Sequence, residues 1–208
     1  MTYNTAQEEF WAGAFGDDYL CRNQSDSLLA ANLNLFSRAL RSAQRPETCI
    51  EFGANIGMNL RALQLLFPGQ QQHAVEINPQ AFSELSKVIP PTHAWQGAIA
   101  DFEVERNWEL VLIKGVLIHV NPEQLSVVYD KLVAATSRYL LVAEYYNPVP
   151  VAISYRGHNE RLFKRDFAGE LLDRYPTLSL LDYGFIYHRD QNFPQDDVNW
   201  FLLEKHSA

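Results

Sequence analysis

The chain has 208 residues and a mass of 23.8 kDa, with 47% apolar and 20% charged residues, which supplies core for one α/β domain and excludes a disordered linker, a coiled coil or a disulfide mini-scaffold. Seventeen Lys and Arg against 25 Asp and Glu give a net charge of −8 and a pI near 5.2, which argues against nucleic acid as the main partner. Two cysteines, Cys21 and Cys49, are too few for a secreted disulfide framework. The opening MTYNTAQEEFW is acidic and aromatic rather than basic then apolar, and apolar runs such as Tyr139–Ala143 are strand-sized. The expectation is a cytoplasmic protein with no signal peptide, no membrane span and no membrane partner.

Glu8–Phe15 is amphipathic and predicts a helix; Ser27–Ser42 predicts another, with Leu28, Leu29, Leu33, Phe36 and Leu40 at helical spacing. The texture then changes to strands alternating with helices. Thr48–Phe52 reads as a buried strand, followed by a helix from about Gly57 to Phe67 that Pro68-Gly69 stops. His73–Ile77 is a second strand, and its helix opens on Asn78 as cap with Pro79 at the first helical position. His93–Gln96 and Leu110–Lys114 are the third and fourth strands. A helix over Pro122–Ala135, capped by Asn121, leads to a fifth strand at Arg138–Glu144. An irregular aromatic and basic stretch, 145–166, precedes a helix at Phe167–Tyr175. Strands at Leu178–Tyr187 and Val198–Glu204 have no helix between them and are expected to pair antiparallel. The fold class expected is α/β: a doubly wound, mostly parallel seven-stranded sheet. Residues 1–44 form an N-terminal helical cap or lid, and 45–208 the main domain with an acceptor-side insertion at 145–166.

Ligands of open α/β sheets bind outside the carboxyl ends of the strands. The first strand runs into Glu51-Phe52-Gly53-Ala54-Asn55-Ile56-Gly57, where Gly53 and Gly57 permit a tight turn. The spacing is G-x-x-x-G, unlike the G-x-G-x-x-G of dinucleotide folds. A carboxylate at Glu51 would repel a pyrophosphate and suit an amino-acid ammonium, which favours S-adenosylmethionine over a nicotinamide dinucleotide. Glu76, at the tip of the second strand, is placed to accept ribose hydroxyls. The plain alternative is a glycine turn flanked by two solvated acids.

Glu51–Gly57 resembles the first motif of class I S-adenosylmethionine-dependent methyltransferases, E/D-x-G-x-G-x-G, with Asn55 replacing the middle glycine. Glu76 looks like their ribose-binding acid, and Trp108–Val120 (WELVLIKGVLIHV) resembles their fourth strand and following loop. Over about residues 45–145 the resemblance implies a Rossmann-like methyltransferase fold. Families of this fold often carry Asp near the end of the third strand, against the adenine amine. Here Gln96-Gly97-Ala98-Ile99 places Ala98 there, so the resemblance leaves adenine to Ile99, backbone groups and Asp101. The stretches EEFWAGAFGDDYLCRN, AEYYNPVPVAISYRGHNERLFKRDFAGELLDRYP and DYGFIYHRDQNFPQDDVNWFLLEK are similar to the pseudaminic acid biosynthesis-associated methylases. That likeness implies a sugar or nonulosonic acid acceptor in a surface-polysaccharide pathway.

Methyl transfer needs alignment above all, and a hydroxyl acceptor also needs a base. His119, beyond the fourth strand, is the catalytic candidate; the alternative is a loop histidine that orders the strand end. Lys114, at the same tip, is a second candidate for the cofactor side, and otherwise a solvated lysine. Tyr19 and Arg22 are placed to close over the cofactor carboxylate, or else belong to a helix end packed on the sheet edge. In 145–166, Tyr145, Tyr146, Tyr155, Arg156, His158, Arg161, Lys164 and Arg165 interrupt an otherwise acidic chain. Arginine forks recognise carboxylates and phosphates while tyrosines stack on sugar faces, so this segment reads as a lid for an acidic or nucleotide-linked sugar, or as a solvated loop. Asp190, Asp196 and Asp197 read as turn residues, and no HxxxH or CxxC spacing suggests a metal.

Three functions fit these residues: a small-molecule methyltransferase, a non-catalytic S-adenosylmethionine-binding protein in a biosynthetic complex, and a nucleotide-dependent oxidoreductase that the glycine spacing and Glu51 disfavour.

Overall fold

The computed structural model of the chain describes residues 3–20, 25–155 and 157–206, and for 155 and 158–161 the backbone alone. Strands β1 (Thr48–Phe52), β2 (Gln71–Glu76), β3 (Ala94–Gln96), β4 (Trp108–Lys114) and β5 (Thr136–Glu144) pair in parallel. β6 (Val151–Tyr155) and β7 (His158–Lys164) form a separate antiparallel hairpin. β8 (Leu178–Ile186) and β9 (Val198–Lys205) rejoin the main sheet antiparallel, giving seven strands in the order β3-β2-β1-β4-β5-β9-β8. The order reverses between β1 and β4, and a crevice opens there at the strand tips.

The side-chain period of two sorts the strands into two cores. On one face Cys49, Leu110, Leu112, Tyr139 and Leu141 pack against helices α3 (Asp26–Ala39), α4 (Met58–Leu66) and α5 (Pro79–Leu85). On the other, Ile50, Val111, Ile113 and Leu140 pack against α6 (Leu125–Ala135) and α7 (Phe167–Arg174). Cys49 is a buried free thiol. Leu35 and Phe36 of α3 are fully buried, so the last part of the N-terminal 1–44 region belongs to the main core.

Two expectations change. The helix expected at Glu8–Phe15 is two helices, α1 (Ala6–Ala12) and α2 (Ala14–Leu20), because Gly13 takes an extended conformation between them. The stretch expected to be irregular, 145–166, contains the β6–β7 hairpin, which Leu162 ties to the α6–α7 core. Among the described residues no helix is long and apolar enough to cross a membrane.

Candidate functional site

The crevice beyond β1, β2 and β4 holds a cavity of about 590 Å³. Its floor begins in the turn after β1, where Gly53 (φ 77°), Asn55 (φ 51°) and Gly57 (φ 80°) are all left-handed. The first and third need glycine. Asparagine tolerates the second because its Oδ1 accepts the Ile56 N–H at 2.8 Å. The turn is hung on β2, with Gly53 and Ala54 N–H donating to the Val75 carbonyl.

Glu76 lines the cavity although it is buried. Its two oxygens accept from Asn55 N–H and Asn78 N–H, each at 2.7 Å, which aligns the carboxylate from behind. Burial raises its pKa and these amides pull it back. Glu51 is different: it is fully buried behind the wall, accepting Asn59 Nδ2 at 2.6 Å, while its Oε2 has no protein partner. Burial pushes Glu51 up to about 8. Asn59 does line the cavity, so Glu51 reaches it through Asn59 and not by direct contact as its sequence position suggested. Lys114 lines the cavity at the tip of β4, its pKa lowered by burial against the opposing pull of Glu51, Asp196 and Glu144.

Beyond Lys114, a 3-10 turn at Leu117–His119 brings His119 to the cavity wall, where its ring lies 4.4 Å from the Trp11 ring. Trp11 and Tyr19, from α1 and α2, meet edge to face at 5.5 Å and also line the cavity. Asn78 fastens these helices: its Nδ2 donates to Asp17 Oδ1 at 2.9 Å and to the Trp11 carbonyl at 3.2 Å, while its Oδ1 caps α5 through Ala81 N–H. At the far end, Tyr145 donates its hydroxyl to Asp196 at 2.6 Å, and His188, Gln195 and Asp196 of the β8–β9 loop complete the wall. Trp11 Nε1, Asn32 Oδ1 and Gln195 Nε2 are buried polar atoms of cavity-lining side chains with no protein partner, so a polar ligand has groups to meet.

Of the residues singled out in the sequence, Tyr19, Gly53, Asn55, Glu76, Ile99, Lys114, His119 and Tyr145 line this one cavity. Gly57 shapes the turn from outside it, near Leu85 and Val88. Tyr146 turns away, with its ring 6.1 Å from Phe201. Arg22 and Arg156 lie outside the described residues, as do the side chains of Tyr155, His158 and Arg161. The rest of the basic cluster points elsewhere: Arg165 pairs with Glu170 at 2.6 Å, and Lys164 lies over the Tyr145 ring at 5.1 Å. Asp101 faces Asn4 and does not line the cavity, which leaves Ala98 and Ile99 as its apolar wall there. Asp196, expected to be a turn residue, lines the cavity, and so do Trp11, Asn32 and Gln195. No local motif marks them; only the antiparallel return of β8 and β9 and the folding-over of α1 bring them to the strand tips. Among the described residues no group of three or more His, Cys, Asp or Glu is placed to hold a metal.

Solved structures share this architecture at low identity. The Burkholderia thailandensis 1,6-didemethyltoxoflavin-N1-methyltransferase, with its substrate and S-adenosylhomocysteine bound, superposes with a TM-score of 0.71 at 14% identity, over 100% of this chain and 93% of that one. This chain has the methyltransferase fold. The Synechocystis magnesium protoporphyrin IX methyltransferase with bound S-adenosylmethionine gives a TM-score of 0.69 at 12% identity, covering 99% and 100% of the two chains. A sugar N-methyltransferase from Streptoalloteichus gives 0.66 at 12% identity, covering 100% and 97%. No protein-family model and no curated protein matches the sequence.

Proposed function

We propose that the chain is an S-adenosylmethionine-dependent methyltransferase acting on a small molecule in this cavity. Glu76 carries the reading: a buried carboxylate, aligned by two backbone amides, lines the cavity beside a left-handed glycine turn. With the Asn55 and Asn78 amides behind it and the Ile77 amide also favouring its charged form, the carboxylate keeps lone-pair capacity toward the cavity for ribose hydroxyl donors. Ile99 and Ala98 offer the base an apolar wall, and Gly53 and Asn59 meet the amino-acid end, with Glu51 acting through Asn59. S-adenosylmethionine supplies a sulfonium methyl for in-line displacement. The protein's part is to align the acceptor and exclude water. Trp11 packs its ring against His119 at a tilt of 50°, and His119 takes the proton of a hydroxyl acceptor.

For the acceptor, the finer reading is a sugar or nonulosonic acid-type intermediate. The likeness of the terminal stretches to the pseudaminic acid-associated methylases supports it, as does the mixed aromatic and polar wall of Tyr145, His188, Gln195 and Asp196. Lys114 is the lysine or arginine that lines the cavity among the described side chains, so an anionic group on the acceptor has its partner there.

Calorimetry tests the cofactor. S-adenosylmethionine should bind where NAD does not, and Glu76→Ala should raise its Kd at least about tenfold, the loss of one charge-assisted hydrogen bond. Binding of NAD alone would overturn the reading. Cofactor binding without methylation of any member of a panel of nucleotide-linked and nonulosonic sugars would leave the non-catalytic function instead.

A further inference from the structure

Glu144 ends β5 next to Tyr145, yet it is only 3% exposed and stands behind the cavity. Its Oε1 accepts the N–H of Val116 and of Leu117, both at 2.9 Å, from 28 and 27 residues away. The Ile118 amide also favours its charged form. These amides open the turn Leu117–His119, and the first donors of a helical turn have no carbonyl partner within it. Val116, at the cap position, makes no side-chain cap bond, so a carboxylate from the neighbouring strand takes that role. The turn closes with His119 N–H on the Val116 carbonyl at 2.8 Å, which sets the imidazole against Trp11.

We propose that Glu144 is a positioning residue: its carboxylate anchors the Val116 and Leu117 amides and so sets His119 at the cavity wall. The consequence for turnover rests on the methyltransferase reading; the anchoring does not. Among the described residues, Lys114 on β4, Tyr129 on α6, Tyr146 just after β5, and Arg165 with Glu170 at the start of α7 are the titratable and charged groups around Glu144. Oε2 has no protein partner. Burial raises the carboxyl to about 7, with the three amides and Lys114 pulling the other way. The anion holds the amides, and the neutral acid accepts them less well, so the anchor loosens as pH falls through that value.

Proton–nitrogen NMR of the full chain tests this. The Val116 and Leu117 amide signals should move in one step with a midpoint near 7. The step should persist in His119→Ala, which removes the imidazole's own titration, and be lost in Glu144→Gln. At the alkaline end of the titration, the His119 ring protons should lose part of their Trp11 ring-current displacement in Glu144→Gln relative to the wild type. Amides that ignore pH, or a step that survives Glu144→Gln, would overturn the anchor. An unmoved His119 ring would overturn the positioning role. Should Glu144→Gln not fold, the wild-type and His119→Ala titrations decide. Failure of the wild type to bind S-adenosylmethionine in calorimetry would remove the methyltransferase reading alone, leaving the anchor to the spectra.

Discussion

His119 is held from two directions, by the turn that closes on the Val116 carbonyl and by the Trp11 ring across the cavity. In the proposed role of base, His119 would accept the proton of a hydroxyl acceptor and contribute little to nucleoside affinity. For such an acceptor His119→Ala should lower kcat by roughly 10²- to 10⁴-fold while the calorimetric Kd for S-adenosylmethionine changes by less than about threefold. Equal losses in both would make the imidazole part of the cofactor wall. Glu51 shows why neighbouring residues of one motif differ in role. It is two residues from Gly53, but β1 is covered on both faces and Glu51 is buried with its neighbours, so Asn59 carries its influence to the cavity.

The turn after β1 is a unit whose shape is set by φ and by Val116. A Cβ on Gly53 would lie 2.5 Å from Val116 Cγ2 in a backbone already at φ 77°. Strain of this kind costs about 1–3 kcal/mol. Gly53→Ala should therefore lower Tm by roughly 2–12 °C and weaken cofactor binding. Adding Val116→Ala should restore the steric share of the stability and not the share due to φ. An unchanged Tm in Gly53→Ala would show that the turn relaxes freely. This element was legible from sequence because its glycines and the strand before it lie in one short run. The hairpin at 145–166 was not, since Gly157 is flanked by tyrosine, arginine and histidine rather than a familiar turn pair, and charge dominated the reading. The split of α1 from α2 hid behind a helical apolar period that continues across Gly13. Asp196 and Gln195 were illegible in a stronger sense. Their place at the site depends on an antiparallel pairing some fifty residues from Tyr145, which no local spacing encodes.

Across the whole molecule, burying acids beneath the strand tips makes stability depend on pH. Glu51 at about 8 and Glu144 at about 7 stand above the ordinary 4.5, so the folded chain holds protons that the unfolded chain has released. Stability from these groups is greatest below the unfolded value and falls as pH rises through the folded ones. His73, lowered to about 4 by burial, acts with the opposite sign but is exhausted near 6.5. Lys114, also lowered, opposes the trend only above its own folded value. From about pH 6.5 to about pH 8.5 stability should drop on the order of 2 kcal/mol, and Tm by roughly 4–8 °C. Glu51→Gln should flatten that slope in a calorimetric pH series. A slope equal to wild type would move the titration elsewhere.

Asn78 joins the ribose corner to the helices that roof the cavity, since its backbone N–H aligns Glu76 and its side chain grips Asp17 and the Trp11 carbonyl. On the proposed reading, a spent cofactor at Glu76 would leave past a roof tied to the residue that aligns Glu76, so its dwell time should depend on Asn78. Asn78→Asp keeps the oxygen that caps α5 and turns a carboxylate toward Asp17. In stopped flow it should release S-adenosylhomocysteine about tenfold faster, equivalent to 1.4 kcal/mol, with the association rate little altered. An unaltered release rate would uncouple the roof from the ribose corner. If S-adenosylmethionine binds here as proposed, opening of α1 and α2 should govern release, and turnover should then fall as solvent viscosity rises.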